Sequence, residues 1–161
     1  MTNEVAVGQP APSFTLQSWT KSGFREVSLG DFSGREAVVL YFYPKDDTPG
    51  CTKEACTFRD LVGQFEAVGA VILGISPDTV EAHAKFADKF GLPFPLLADP
   101  EHRVANAYGV WKEKMNYGKT YWGIERTTFI INKGGTIAKI YPRVNVEDHA
   151  QKVLEYVGSL V

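Results

Sequence analysis

Residues 37–56 run AVVLYFYPKDDTPGCTKEAC, and the change of pattern inside this stretch decides the fold class. Residues 37–43 are β-branched, aromatic and continuously apolar, the composition of a strand buried on both faces. Residues 44–50 bring two prolines, a glycine and two adjacent aspartates, which continue neither a strand nor a helix. From Cys51 the period changes. Cys51, Ala55, Phe58, Val62 and Phe65 recur at steps of four and three, the spacing of one helix face, which ends near Gly69. Residues 70–76 are apolar again. Strand, helix and strand in this order predict a right-handed crossover between parallel neighbours. Cys51 then lies in the first helical turn, beyond the carboxyl end of the first strand.

The rest of the chain extends this unit. Residues 13–16 and 25–29 suit a small N-terminal hairpin. Asp78 with Glu81 resembles a capping box that opens a helix to Phe90, and Asp99-Pro100 forms a cap and first-turn pair for a short helix to Tyr108. Residues 127–132 and 136–141 flank Lys133-Gly134-Gly135 as a hairpin, and Asn145 caps a last helix to Leu160. Alternation of strands and helices predicts an α/β fold, a central mixed sheet with helices on both faces and an N-terminal hairpin extension. With 161 residues, 44% of them hydrophobic, one core is the expectation, and residues 1–161 read as a single domain.

Composition excludes several classes of function. A formal charge of −2 supplies no basic field for nucleic acid or anionic lipid. The apolar runs are far too short to span a membrane, and the first twenty residues lack the pattern of a signal peptide. A cytoplasmic protein is expected. Two cysteines are too few for a secreted disulfide scaffold, which leaves reactive, redox or metal-binding use.

A cysteine is nucleophilic only as thiolate, and the free N–H groups of a helix start favour negative charge there. Cys51 is thereby a candidate nucleophile, although it also shares the apolar stripe of its helix, as a core cysteine would. Thr48 can bring a hydroxyl towards the sulfur. Pro44 can wall it from water without presenting a donor, besides ending the strand.

Together these residues match a pattern. Pro44-x-x-x-Thr48-x-x-Cys51, preceded by Tyr41-Phe42-Tyr43, resembles the active-site motif of the peroxiredoxins. The whole stretch from Tyr41 to Cys56 resembles the branch called bacterioferritin comigratory protein or peroxiredoxin Q, in which a second cysteine follows the first by five residues. Gly8-Gln9-Pro10-Ala11-Pro12, Gly74-Ile75-Ser76 and Arg126-Thr127-Thr128-Phe129-Ile130 carry the resemblance over nearly the whole chain. It implies a thioredoxin-like fold and reduction of hydrogen peroxide or organic hydroperoxides, with no metal or organic cofactor. It also implies a monomer recycled by thioredoxin or a similar dithiol reductant. Cys51 would attack the peroxide and Cys56 would resolve the sulfenic acid as a disulfide. Pro44, Thr48 and the backbone near Gly50 would position the substrate. Arg126 would contact sulfur and peroxide, since a fixed cation favours thiolate and stabilises charge on the leaving oxygen. Glu54 fits a supporting carboxylate that holds the arginine.

The spacing of the pair has a mechanical consequence. In an intact helix, Cα atoms five residues apart lie about 8.7 Å from each other and are rotated by about 140°. A disulfide needs a Cα separation of about 4.4 to 6.8 Å. The first turn must therefore unwind before the two sulfurs can bond. Cys56 also falls one step off the apolar stripe and is expected to be less buried than Cys51.

Other readings fit less well. A thioredoxin-type reductase needs two cysteines with two residues between them, and four stand here. A hydrolase needs a histidine aimed at Cys51, but His83, His102 and His149 fall in what read as exposed helix positions. A metal site has too few ligands at ordinary spacing. A noncatalytic redox switch remains open, with the aromatic-rich residues 111–122 as a partner surface; the interrupting lysines and glycines favour instead a loop packing over the active site.

Overall fold

The structure, a computed structural model, describes residues 5–160. Its strands are β1 (Thr15–Thr20), β2 (Gly23–Ser28), β3 (Ala37–Phe42), β4 (Ala70–Ser76), β5 (Leu96–Ala98), β6 (Trp111–Asn116), β7 (Lys119–Ile124), β8 (Thr127–Ile131) and β9 (Ile137–Tyr141). Its helices are α1 (Pro49–Ala67), α2 (Val80–Phe90), α3 (Arg103–Ala107) and α4 (His149–Ser159). Seven strands form one mixed sheet in the order β2-β1-β5-β4-β3-β8-β9, while β6 and β7 pair only with each other.

β3, wholly buried, is the axis of the sheet. It runs parallel to β4 and antiparallel to β8. Side chains alternate across a strand, so Val39, Tyr41 and Tyr43 enter one core and Val38, Leu40 and Phe42 the other. The first core holds the apolar faces of α1, α2 and α4. Crossovers of one hand from β3 to β4 to β5, all advancing in the same direction, place α1 and α2 on the same side. The opposite core is closed by Phe14, Val27, Leu29 and the short α3 with Tyr108. Helices thus cover both faces, but unequally.

Several expectations need correction. The N-terminal hairpin spans Thr15–Thr20 and Gly23–Ser28, later in β1 and earlier in β2 than the residue types suggested, and it joins the main sheet because β1 pairs with β5. The three-residue β5 is too short to give a periodic signal. α2 is capped by Thr79, whose Oγ1 accepts from the Ala82 N–H at 3.2 Å, not by Asp78. Asp99 does accept the N–H groups of Val104 and Ala105, but α3 begins only at Arg103. Asn145 accepts from the Glu147 N–H, and Asp148 occupies the N-cap of α4. Residues 111–122 are not a loop: Tyr117 and Gly118 take φ of +52° and +76° in a two-residue turn, the left-handed pair that suits a tight hairpin. Trp111 anchors that hairpin by stacking on His102, centroids 3.7 Å apart.

Gly74 marks the tightest approach in the sheet. It faces Tyr41 across the β3–β4 ladder, and a Cβ there would stand 2.9 Å from the Tyr41 ring carbon Cζ and hydroxyl and 3.0 Å from Leu96. Gly74→Ala is expected to destabilise the fold by about 1–3 kcal/mol through overpacking. A denaturant midpoint equal to that of the parent chain would show that Tyr41 has room to shift.

Candidate active site

The loop from β3 delivers its residues to the first turn of α1. Thr48 is the N-cap, Pro49 opens the helix, and the Thr48 carbonyl accepts the Thr52 N–H at 2.8 Å. Proline suits this position because the first N–H groups of a helix lack partners in any case. The Thr48 hydroxyl donates to the Lys45 carbonyl at 2.9 Å and tightens the turn. Pro44, half-buried, stands just beyond β3.

Cys51 is 2% exposed, whereas Cys56 is half-buried; both are free thiols within the one helix. The Arg126 guanidinium reaches Cys51, with Nη2 donating to Sγ at 3.2 Å and Nη1 donating to Glu54 Oε1 at 2.6 Å. Gly50 borders the same group, since a Cβ there would lie 3.3 Å from Arg126 Nη2. The structure therefore brings Cys51, Glu54, Arg126 and Gly50 into direct contact, with Pro44 and Thr48 on the adjoining loop. Cys56 lies along the helix, away from this cluster.

Charge in the cluster is finely opposed. Burial pushes the Glu54 carboxyl up, to about 7, against the pull of Arg126. Burial prevails because only Oε1 is bonded, while Oε2 is buried without a partner. Burial is also the largest influence on Arg126, pulling it down, but Glu54 and Cys51 together hold it above its ordinary value. A cation fixed at the sulfur favours thiolate over thiol and can stabilise an oxyanion formed beside it.

Two histidines expected on the surface are buried: His83 is 0% exposed and His149 is 5% exposed. Neither bonds to Cys51. His149 Nε2 meets the Thr128 hydroxyl at 2.7 Å, and burial lowers it to about 4, with Lys152 and Arg126 adding to the shift. His83 bonds Asp46. The spacing of His83 with Phe86, Ala87 and Phe90 was the available signal, since it continues the buried stripe of α2. Asp46, Asp78 and His83 bring oxygen and nitrogen atoms within 4.8 Å of one another. Those atoms already bond each other and the backbone, so binding a cation would break that network. Among the described residues, no helix is long and apolar enough to cross a membrane.

Residues 7–140 match the model of the AhpC/TSA family. The chain is 49% identical over 156 residues to peroxiredoxin Bcp of Bacillus subtilis, an alignment covering 97% of each chain. It superposes on the bacterioferritin comigratory protein of Xanthomonas campestris with a TM-score of 0.88 at 36% identity, covering 98% of this chain and 99% of that one. Xylella fastidiosa PrxQ gives a TM-score of 0.89 at 35% identity, with 98% of both chains covered. The thioredoxin-like fold is shared throughout. A chain so matched along nearly its full length, with a guanidinium on a cysteine at a helix start, belongs to the AhpC/TSA family as a peroxiredoxin of the bacterioferritin comigratory protein type, a thiol-dependent peroxidase.

Proposed function

We propose that the chain reduces hydrogen peroxide and organic hydroperoxides through Cys51, with Cys56 as the resolving thiol and thioredoxin or a similar dithiol protein as the electron donor. The single observation that carries the reading is the 3.2 Å contact of Arg126 Nη2 with Cys51 Sγ in the first turn of α1. The Cys51 thiolate attacks one peroxide oxygen, the O–O bond breaks, and water or an alcohol leaves after taking up a proton. Cys51 is then a sulfenic acid. Condensation with the Cys56 thiol forms the S–S bond and releases water. A reductant dithiol takes the disulfide and returns both thiols. Pro44, Thr48 and the Gly50 backbone position the peroxide, Arg126 stabilises charge on the leaving oxygen, and Glu54 holds Arg126. Support for organic substrates comes from the alkyl peroxide reduction activity ascribed to the Xanthomonas campestris relative. The chain is proposed to act as a cytoplasmic monomer.

The resolving step demands that the turn holding Cys51 leave the helix, because the two cysteines sit at helical positions that a disulfide does not span. The test is a coupled assay with thioredoxin, its reductase and NADPH, followed by NADPH oxidation on addition of peroxide. No oxidation above background sinks the reading. Cys56→Ser is expected to consume one equivalent of peroxide in a single fast phase as Cys51 becomes sulfenic acid and then stall, with any sulfinic or sulfonic acid detected by mass accounting for further, slower consumption. Sustained thioredoxin-driven turnover by that variant removes Cys56 from the cycle.

A further inference from the structure

The loop carrying Pro44 and Thr48 is anchored by a buried network that never touches Cys51. Asp47 takes a φ of +58°, a left-handed turn conformation that aspartate tolerates better than most non-glycine residues. Asp46, next to it, is the anchor and is buried. Its Oδ1 accepts from the Tyr43 hydroxyl at 2.6 Å and its Oδ2 meets His83 Nδ1 at 2.6 Å. Its backbone N–H donates to Asp78 Oδ2 at 2.8 Å, an oxygen that also accepts from the Ser76 hydroxyl at 2.6 Å. His83 is tied at its other end, with Nε2 2.9 Å from the Leu97 carbonyl. A carbonyl oxygen only accepts, so Nε2 is the donor to Leu97. α2, β4 and β5 thus all converge on one loop residue, two positions before the N-cap of α1.

We propose that His83 is a positioning residue for peroxide reduction, acting through Asp46 to hold the loop of Pro44 and Thr48 against the first turn of α1. The same clamp restrains the unwinding that disulfide formation requires. The proposal rests on the Cys51–Cys56 cycle given above. With Asp46 fixed upstream and Ala55 and Phe58 buried downstream, the segment free to open is confined to the residues between them. Loosening the clamp lets the loop drift from Cys51, and small misplacements of positioning groups cost rate steeply. It also lengthens the segment able to open. The two steps of the cycle should therefore respond differently, which a general loss of stability would not produce.

The experiment is stopped-flow mixing of the reduced chain with hydrogen peroxide, resolving peroxide attack on Cys51 from the later formation of the Cys51–Cys56 disulfide. His83→Gln is expected to slow attack by about tenfold or more while disulfide formation becomes faster. Should His83→Gln fail to fold, Tyr43→Phe keeps the ring and removes only one bond to Asp46; it is expected to slow attack several-fold without slowing disulfide formation. Attack at the parent rate in a folded variant overturns the proposal, and so does equal slowing of both steps. A parent chain that consumes no peroxide is a failure of the proposed cycle; an active parent with unaffected variants is a failure of this inference alone.

Discussion

Cys51→Ser is expected to reduce peroxide consumption in the coupled assay to background, a loss on the order of 10⁴-fold or more, as for removal of other enzymic nucleophiles. The reason lies in the atom replaced. Arg126 places a cation 3.2 Å from Sγ, and a sulfur so placed gains thiolate character from the cation. A serine hydroxyl does not, and no histidine bonds to residue 51 to serve as its base. The hydroxyl also lacks the soft, polarisable electron pair with which sulfur attacks an O–O bond. Serine differs from cysteine mainly at one atom, so the buried site retains its shape and the thermal midpoint should stay within a few degrees of the parent. Activity above about a tenth of the parent level, in a preparation shown by mass to be the variant, places the nucleophile elsewhere.

Arg126→Met is expected to cost both rate and stability, and the two losses can be separated. Rate falls by about 10²–10³-fold, the ordinary effect of removing a group that stabilises transition-state charge. Stability falls because Glu54, 1% exposed, loses the only partner that its carboxylate has among the described residues. A buried pair broken from one side costs about 3–5 kcal/mol when the remaining charge persists. Glu54 escapes part of that cost by taking up a proton, so the loss depends on pH. Its folded value, pushed up to about 7 by burial, lies above the ordinary 4.5. The stabilising contribution of such a group is therefore complete below 4.5 and is lost as pH rises through about 7. Without the guanidinium the carboxyl is pushed higher still, which extends the window of loss upward. Denaturant unfolding should show Arg126→Met more destabilised at pH 8 than at pH 6. The double change Arg126→Met with Glu54→Gln should recover stability and remove this pH dependence without recovering activity. Equal stability of parent and Arg126→Met at both pH values contradicts a stabilising pair.

How far the site is legible in the sequence depends on how local each feature is. The break of pattern at residues 44–50 exposed the end of β3, the proline-opened helix and the placement of Cys51, all governed by backbone preferences over a few residues. The 3.6-residue period of α1 separated buried Cys51 from half-buried Cys56. The same period along α2 sets His83 on one stripe with Phe86, Ala87 and Phe90, the face that is buried, although histidine as a residue type favours the surface. The hairpin over residues 111–122 is not legible in the sequence because the left-handed turn at Tyr117 lacks the usual Asn-Gly pair.

The sequence by itself determined the strand, loop and helix around Cys51, the alternation that makes an α/β sheet, and, through resemblance, the family. Only the tertiary structure decided which distant groups meet that loop. Arg126 stands 75 positions from Cys51, and it reaches the sulfur because β8 is the antiparallel neighbour of β3, with Thr127 opposite Phe42. That register sets residue 126 beside the carboxyl end of β3, where the loop begins. His83 finds Asp46 in the same way, through the packing of α2 beneath β5. Local backbone preferences set which segments curl or extend, but the pairing of distant strands and the burial of whole faces set which charges share a site.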